Sequence, residues 1–412
     1  MTRKPFDRGL GRPALAGLLL FGSLTGCLSP IAMHRAVVEY DRTGSQIDAE
    51  LLLLNIARAR HYRPVHFTTV SSVAATFDFR VNSGIIGRIG STPLNADARP
   101  VDLEFSSSVA EQPTITIVPI TGEEFTKRIL RPLEESQFYF LVHQEFDINM
   151  ILRLMARGME IAGEGEPTLL FNAPSRRADY EEFRKRLLHL SSLQLTRKLY
   201  VGPITYDESF TVPVGRAPTP EEAVAGLEKG YRWTVSQKDQ QYTLSRRVVG
   251  RIAITNYDTD RLSNEERRRM NEEAEQSPRD SILADIRPGN PGGDYPLHGS
   301  ILLRSLNAII IFLAKGIAEE PEFHVDKNPK TGPVMRNPSR TLEIEESSNR
   351  PTEAEFSVEL EGHYYSIRKF PISEGMVPSW NQEAFAVLSN LFQMTVTEVS
   401  VQKMPIISIP KG

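Results

Sequence analysis

The chain has 412 residues, of which 40% are hydrophobic and 24% are charged, a composition typical of globular domains. Its formal net charge of −4 argues against a general nucleic-acid-binding protein, which needs a basic surface, so no nucleic-acid partner is expected. The single cysteine, Cys27, excludes an intrachain disulfide and any metal site built from several cysteines.

The first 26 residues have the pattern of a signal peptide. A basic region at 1–12 precedes an apolar run at 13–24, which is shorter than the about 20 apolar residues of a membrane-spanning helix. The next segment, Leu24-Thr25-Gly26-Cys27, resembles the bacterial lipobox, so cleavage is expected between Gly26 and Cys27. The alternative is a buried cysteine that follows an ordinary signal peptide or a short membrane helix.

The lipobox resemblance implies a lipid partner and a location. Membrane lipid would be held through an S-diacylglyceryl group and an N-acyl group on Cys27, and two or more chains give stable anchoring. No Asp follows Cys27, and this absence favours the outer membrane, with the protein facing the periplasm.

The hydrophobic periodicity predicts an α+β fold of mixed helices and short antiparallel strands, without a doubly wound βαβ pattern. Helices are predicted at 36–60, from a Thr121 N-cap with breaks to about 160, and at 176–196, 260–280, 301–318 and 379–393. Strands are predicted at 70–81, 101–105, 114–118, 198–206, 231–237, 241–248, 251–255, 341–346, 354–360, 363–369 and 394–408. A Gly- and Pro-rich loop occupies 287–299.

Four regions follow from these patterns. They are the signal peptide at 1–26, a region of helix, hairpin and further helices at 27–160, an α+β region at 161–285, and a C-terminal α+β region at 286–412. The apolar run at 301–318 contains Arg304 and Lys315, which favours a buried core helix over a membrane span.

A β-hairpin is the most distinctive predicted element. Apolar and polar residues alternate in 70–81 and in 101–105, and a glycine-rich segment separates the two runs. Phe77, Phe79, Leu103 and Phe105 would form one apolar face. That face either packs on the domain's own helices or faces a membrane, because any one-sided sheet shows this alternation.

No known chemical motif marks a catalytic, cofactor-binding or metal-binding residue in this sequence. Nucleophile-elbow, phosphate-loop, zinc-helix, dinucleotide and EF-hand patterns are all missing from the sequence. Pro64 separates His61 from His66, which are the closest pair of histidines, so they cannot share a helix face as paired ligands. Arg128 and Arg131 could clamp a phosphate or could serve as helix-end charges.

Several segments together resemble a family of uncharacterised lipoproteins of Gram-negative bacteria. They are Leu51-Leu-Leu-Leu-Asn-Ile-Ala-Arg58, Gln112-Pro-Thr-Ile-Thr-Ile-Val-Pro-Ile-Thr-Gly-Glu-Glu-Phe125, Leu302-Leu-Arg-Ser-Leu-Asn-Ala-Ile-Ile-Ile-Phe-Leu313, and Tyr364-Tyr365 followed by a helix at 384–392. The resemblance implies an exported lipoprotein and adds no catalytic residue.

Three functions fit the sequence. The first is a lipid-anchored envelope protein with a structural, assembly or interaction role and no catalysis, whose partners would be other envelope proteins or copies of itself. The second is a subunit of an oligomeric outer-membrane pore or secretion assembly that inserts the 70–105 hairpin. The third is an envelope enzyme, for which the sequence contains no recognisable catalytic motif.

Overall fold

A computed structural model describes residues 12–85, 103–163, 165–212, 217–236, 241–352, 354–368 and 380–396. The chain divides into two compact units. The first comprises the chain up to Leu51 together with Thr68–Ile120. The second comprises Leu52–Phe67 together with the chain from Thr121 onward. Helices and mixed sheets confirm the predicted α+β class.

The first unit contains most of one long helix and a two-stranded sheet. Helix α1 spans Arg12–Arg60 and includes the predicted helix at 36–60. Strands β1 (Phe67–Ile85) and β2 (Leu103–Ile120) pair with each other. The separate strands predicted at 101–105 and 114–118 are one strand, because Pro113, which lacks an N–H, is accommodated in a strand without ending it.

The second unit begins with the end of α1, where Leu52, Leu53, Ile56 and Ala57 are buried. Three short helices follow residue 121, namely α2 (Glu123–Leu130), α3 (Glu135–Val142) and α4 (Ile148–Met155). The predicted N-cap at Thr121 is wrong: Gly122 occupies that position and gives no side-chain cap bond. Every residue of α4 is buried, as expected for a helix that is apolar nearly all round.

A seven-stranded sheet forms the centre of the second unit. Its strands are β3 (Ala156–Ile161), β4 (Thr168–Phe171), β5 (Tyr200–Val212), β6 (Arg232–Ser236), β7 (Gln241–Thr255), β8 (Ser281–Ile286) and β9 (Leu297–Leu303). The order is β4-β3-β9-β8-β7-β5, and β6 also pairs with β7. The described neighbours are antiparallel except β7 and β8, which are parallel.

Helices connect and cover this sheet. They are α5 (Arg177–Leu195), α6 (Pro220–Glu228) and α7 (Asn264–Gln276), and a 3-10 turn at Thr259–Arg261 precedes α7. The α7 crossover joins the two parallel strands, as parallel neighbours require. Ser263 caps α7 through a capping box with Glu266, which explains why the charged run at 260–280 is helical there.

The C-terminal part of the second unit adds a smaller sheet. The sheet has three strands, β10 (Ile344–Ser347), β11 (Ala354–Leu360) and β12 (His363–Arg368), in the order β10-β12-β11. Helix α8 (Leu306–Ala318) precedes these strands in the chain and helix α9 (Trp380–Val396) follows them. The predicted helix at 301–318 is wrong at its start, because 301–303 complete β9 and Ser305 caps α8. The start of the predicted strand at 394–408 is helical to Val396, and the rest lies outside the described residues.

No helix in the described part of the chain is both long and apolar enough to cross a membrane.

Candidate functional site

The residues predicted for lipidation and for the membrane-facing hairpin lie in the first unit. Gly26 and Cys27 fall within the helical backbone of α1. Phe77 and Phe79 belong to β1, while Leu103 and Phe105 belong to β2, so the structure brings these four residues into one two-stranded sheet. Positions two residues apart share a face of a strand, so Phe77 and Phe79 share a face of β1, and Leu103 and Phe105 share a face of β2.

The β1–β2 hairpin is long for a two-stranded sheet. The strands contain 19 and 18 residues, whereas strands of globular proteins commonly contain about 5–6. At about 3.3 Å per residue, each strand extends about 60 Å. In the described residues, no further strand pairs with either of them.

A second region of interest lies where the parallel strands β7 and β8 end. In their register, Thr255 is opposite Asp285, so the segments that follow both strands leave the same edge of the sheet. Ligands of α/β sheets commonly bind beyond the carboxyl ends of parallel strands. A cleft of about 370 Å³ is located there, and we call it the basic cleft.

Cationic side chains outnumber carboxylates in the lining of the basic cleft. The structure places Arg197, Lys198, Arg261 and Arg287 around it, and Asp258 is the one carboxylate among its described lining residues. Tyr200, Asn256, Tyr257, Leu262, Asn290 and Pro291 complete the lining. The cleft therefore carries an excess of positive charge in a chain that is negative as a whole.

Asn256 holds the two loops of the cleft together. Its side chain is buried and donates through Nδ2 to the carbonyl oxygens of Arg287 and Pro291, at 3.0 and 3.2 Å. Its Oδ1 accepts a bond from the Arg287 amide at 2.9 Å. Buried amides with several partners are rigid, so the walls of the cleft are formed in advance of any ligand.

Asp285 anchors Arg287 and Tyr257 in the lining of the cleft. Its Oδ2 accepts bonds from the Tyr257 hydroxyl at 2.5 Å and from Nε of Arg287 at 2.6 Å. The Arg287 guanidinium also lies 4.6 Å from the centre of the Tyr257 ring. Burial and the Asp285 carboxylate raise the pKa of Tyr257, so its hydroxyl remains a donor at neutral pH.

Arg197 reaches the cleft from the end of α5. The amide of Arg197 donates to the Gln194 carbonyl and that of Lys198 donates to the Leu193 carbonyl, a Schellman ending. Arg197 has φ 55, in the left-handed region where glycine is usual. A non-glycine residue there stores about 1–2 kcal/mol of backbone strain.

The cations of the cleft differ in how they are neutralised. Arg261 lies 3.7 Å from Asp258 and Arg287 lies 2.6 Å from Asp285. Among the described residues, no carboxylate forms an ion pair with the side chains of Arg197 and Lys198. The lining holds more cations than carboxylates, so the arrangement is suited to holding an anion.

A separate group of charges lies in the interior. Arg153 and Glu322 form an ion pair at 3.0 Å, with both side chains nearly inaccessible. Burial alone would raise the pKa of Glu322, but Arg153 and Arg184 outweigh it and lower that pKa to about 2. The Glu322 carboxylate also accepts bonds from Thr341 and Tyr180. This network ties the irregular segment before β10 to α4 and α5.

The ion pairs of Arg128 and Arg131 favour helix-end charges over the hypothesis of a phosphate clamp. Arg128 lies 3.3 Å from Glu124 within α2, and Arg131 lies 2.8 Å from Glu134, the N-cap of α3, so each arginine pairs with a nearby carboxylate at a helix end. Within the described chain, no group of three or more His, Cys, Asp or Glu residues could hold a metal ion.

Sequence reasoning missed the basic cleft because its residues are spread from 197 to 291. The predicted loop at 287–299 supplies one wall, and its Arg-Pro-Gly-Asn-Pro start was a usable signal of an ordered turn. Nothing in the periodicity showed that β7 and β8 are parallel, and their pairing is what brings the two loops together.

The chain matches no protein-family model, no curated protein and no solved structure in the three comparisons that were made.

Proposed function

We propose that this chain is a non-catalytic assembly protein of the bacterial envelope, anchored by lipid on Cys27 to the outer membrane and facing the periplasm. We also propose that it belongs to the family of uncharacterised lipoproteins that its motifs resemble. The basic and apolar leader, the small residues before Cys27 and the lack of any other cysteine support the anchor.

The β1–β2 hairpin is the observation that carries the assembly role. A two-stranded sheet alone is at best marginally stable in water. Each outer edge of a hairpin also presents unpaired N–H and C=O groups that can template another strand. In the described residues β1 and β2 pair with each other and with no third strand, so neither outer edge of the hairpin has a partner strand in that part of the chain.

A second copy of the same chain is the partner that this geometry favours. The two edges of a hairpin differ, and β2 of one copy can pair with β1 of the next. Such a head-to-tail contact repeats, and it gives a ring when the rotation closes. Pairing also covers the long edges that natural proteins otherwise protect with charges, bulges or short strands.

The outer-membrane pore is a specific form of this assembly, and strand length favours it as a second candidate. Outer-membrane strands need about 9–11 residues, and both β1 and β2 exceed that length. One hairpin cannot cross hydrocarbon alone, because its edge groups would lack partners there. Insertion therefore requires several subunits, each contributing two strands, with Phe77, Phe79, Leu103 and Phe105 on the lipid-facing side.

The oligomeric state of the detergent-extracted protein tests the assembly role. We expect electron microscopy and mass photometry to show a ring of several copies, and a monomer would end both the assembly and the pore proposals. Replacing Phe77 and Phe79 with Asp, with the neighbouring Asp78→Asn as control, then distinguishes assembly through the hairpin from packing of the hairpin on the protein's own helices. Loss of the ring with an unchanged melting temperature supports assembly through the hairpin. A lowered melting temperature instead indicates that the hairpin packs on the protein's own helices.

Conductance separates the two assembly readings. The wild-type ring and the ring of the Asp78→Asn control are each reconstituted into planar bilayers, and the conductance of the two is compared. Stepwise, voltage-stable currents support the pore. A ring without conductance leaves an assembly role at the membrane surface.

A further inference from the structure

We propose that the basic cleft is a binding site for a phosphate group, either of a phosphorylated small molecule or of a lipid headgroup. Arg197, Lys198, Arg261 and Arg287 supply four positive charges, whereas Asp258 and the underlying Asp285 supply two negative ones. The surplus of two matches the charge of a phosphate monoester near neutral pH, which is about −1.5 to −2.

The kind of donor also favours phosphate. Three of the four cations are arginines, whose planar guanidinium groups donate two parallel bonds to phosphate oxygens. Lys198 adds a mobile point charge of the kind that phosphate sites often contain. A carboxylate offers two oxygens on one side, whereas a phosphate offers three and can be approached by several cations at once.

The site is formed before any ligand arrives. Asn256 fixes the loops after β7 and β8, and Asp285 with Tyr257 fixes the Arg287 guanidinium. Preorganisation lowers the entropic cost of binding. The backbone of Arg197 is strained at a position where glycine would be relaxed. Arg197 and Lys198 form no ion pair within the described chain, so no protein contact explains why an arginine occupies this position.

Arg197 also borders a second groove, of about 490 Å³, that contains the exposed side chains of Leu195 and Met335. This groove has a mixed lining, with apolar side chains beside polar and charged ones that include Glu145 and Asp147. A lipid that carries the phosphate could place part of an acyl chain there, whereas a soluble phosphorylated molecule would leave the groove empty. The experiment therefore includes a probe of each source.

Calorimetric titration of the full chain, kept in a non-ionic maltoside detergent, tests the site. The probes are inorganic phosphate, acetate and soluble dihexanoyl phosphatidic acid. We expect phosphate to bind at least about tenfold more tightly than acetate, a difference of about 1.4 kcal/mol. Phosphatidic acid that binds more tightly than phosphate identifies a lipid headgroup as the source. Equal affinity for the two identifies a soluble ligand.

Matched variants show whether the heat comes from the cleft. We expect Arg197→Gly with Lys198→Ala to weaken phosphate binding at least about tenfold, and the glycine relieves strain so that folding is preserved. The control is Arg268→Ala with Arg269→Ala, which removes two exposed cations of α7 away from the cleft lining. Undetectable binding at about 10 mM phosphate, equal affinity for acetate, or an equal loss in the control would each overturn the proposal.

Discussion

Asp285 and His298 are directly opposite each other in the antiparallel β8–β9 pair, and Nδ1 of His298 lies 3.2 Å from Oδ1 of Asp285. The other ring nitrogen of His298 lies 2.9 Å from Glu273. The hydrogen bond to Asp285, followed by the charge of Glu273, raises the pKa of His298 above 6.5. Burial would raise the pKa of Asp285, but the bonds from His298, Tyr257 and Arg287 outweigh burial and lower it.

This pair predicts a specific pH dependence of stability. Because folding raises the pKa of His298, its contribution is complete below the unfolded value of 6.5 and is lost as the pH rises through the folded value. His298→Gln should therefore lower the free energy of unfolding more at about pH 5.5 than at about pH 9. The effect should be below about 1 kcal/mol, because the ring is half exposed and water screens the pair.

Urea unfolding followed by circular dichroism at the two pH values measures this difference. The control is His324→Gln, which removes an exposed histidine beside the exposed Asp326. A His298→Gln effect that is equal at both pH values, or larger at the alkaline one, would contradict the coupling of His298 to Asp285.

Arg197 offers a prediction about stability that is separate from ligand binding. Arg197→Gly should raise the free energy of unfolding by up to about 1 kcal/mol, because glycine adopts φ 55 without strain. Arg197→Ala removes the same charge but keeps the strain, so it should give little or no gain. Thermal melts of both variants at high salt separate backbone strain from charge, and equal melting temperatures would show that Arg197 is not strained.

Some of the fold could be predicted from the sequence because local patterns determine it. The α+β class, the first strand of the hairpin and the helix within 176–196 follow from periodicity alone. The strands predicted separately at 241–248 and 251–255 are one continuous strand, β7, which runs through Gly250. A side chain at Gly250 would collide with Asn271, which accepts the Arg251 amide, so close packing rather than a turn requires this glycine.

The basic cleft could not be predicted because its residues meet through tertiary structure. The parallel pairing of β7 with β8, the Schellman ending of α5 and the buried Asn256 are each unremarkable in sequence. The interior ion pair of Arg153 with Glu322 joins residues that are 169 positions apart. Local periodicity reports which face of an element is buried, and it contains no information about such long-range partners.

Helix α8 gives a sharp test of core packing. Ile310 is fully buried, whereas its neighbour Ile311 is 41% exposed. Ile310→Asp should cost several kcal/mol of unfolding free energy, because it places an unpaired carboxylate in the core. Ile311→Asp should change stability by about 0.5 kcal/mol or less. Equal melting temperatures for the two variants would show that the face of α8 is assigned wrongly.

The buried Glu322 should make the free energy of unfolding depend on pH in the acid range. Its pKa is lowered to about 2, so its contribution is complete above the unfolded value of 4.5 and is lost as the pH falls through the folded value. Glu322→Gln should cost about 3–5 kcal/mol at neutral pH, because it leaves Arg153 as an unpaired buried charge. The cost should shrink as the pH is lowered from about 4 towards about 2.

Denaturant titrations over that pH range check the dependence on Glu322. Glu320→Gln is the control, since Glu320 is more exposed and pairs with the surface residue Lys315. A neutral-pH cost below that of Glu320→Gln, or a cost that grows on acidification, would show that the buried pair does not hold the segment before β10.

The lipid anchor gives the last prediction, and it is the one on which the proposed location depends. Cys27→Ser should abolish lipidation, because serine has no thiol to take the diacylglyceryl group and the lipobox requires that modified cysteine for processing. Mass spectrometry of the N-terminal peptide should show acyl chains on wild-type Cys27 and none on the variant. After cell fractionation the wild type should be found with the outer membrane. Ser23→Ala is the matched control, because it alters the leader without touching Leu24-Thr25-Gly26-Cys27. A wild-type peptide without acyl mass would overturn the anchor directly, whatever the distribution of the variant between membrane and soluble fractions.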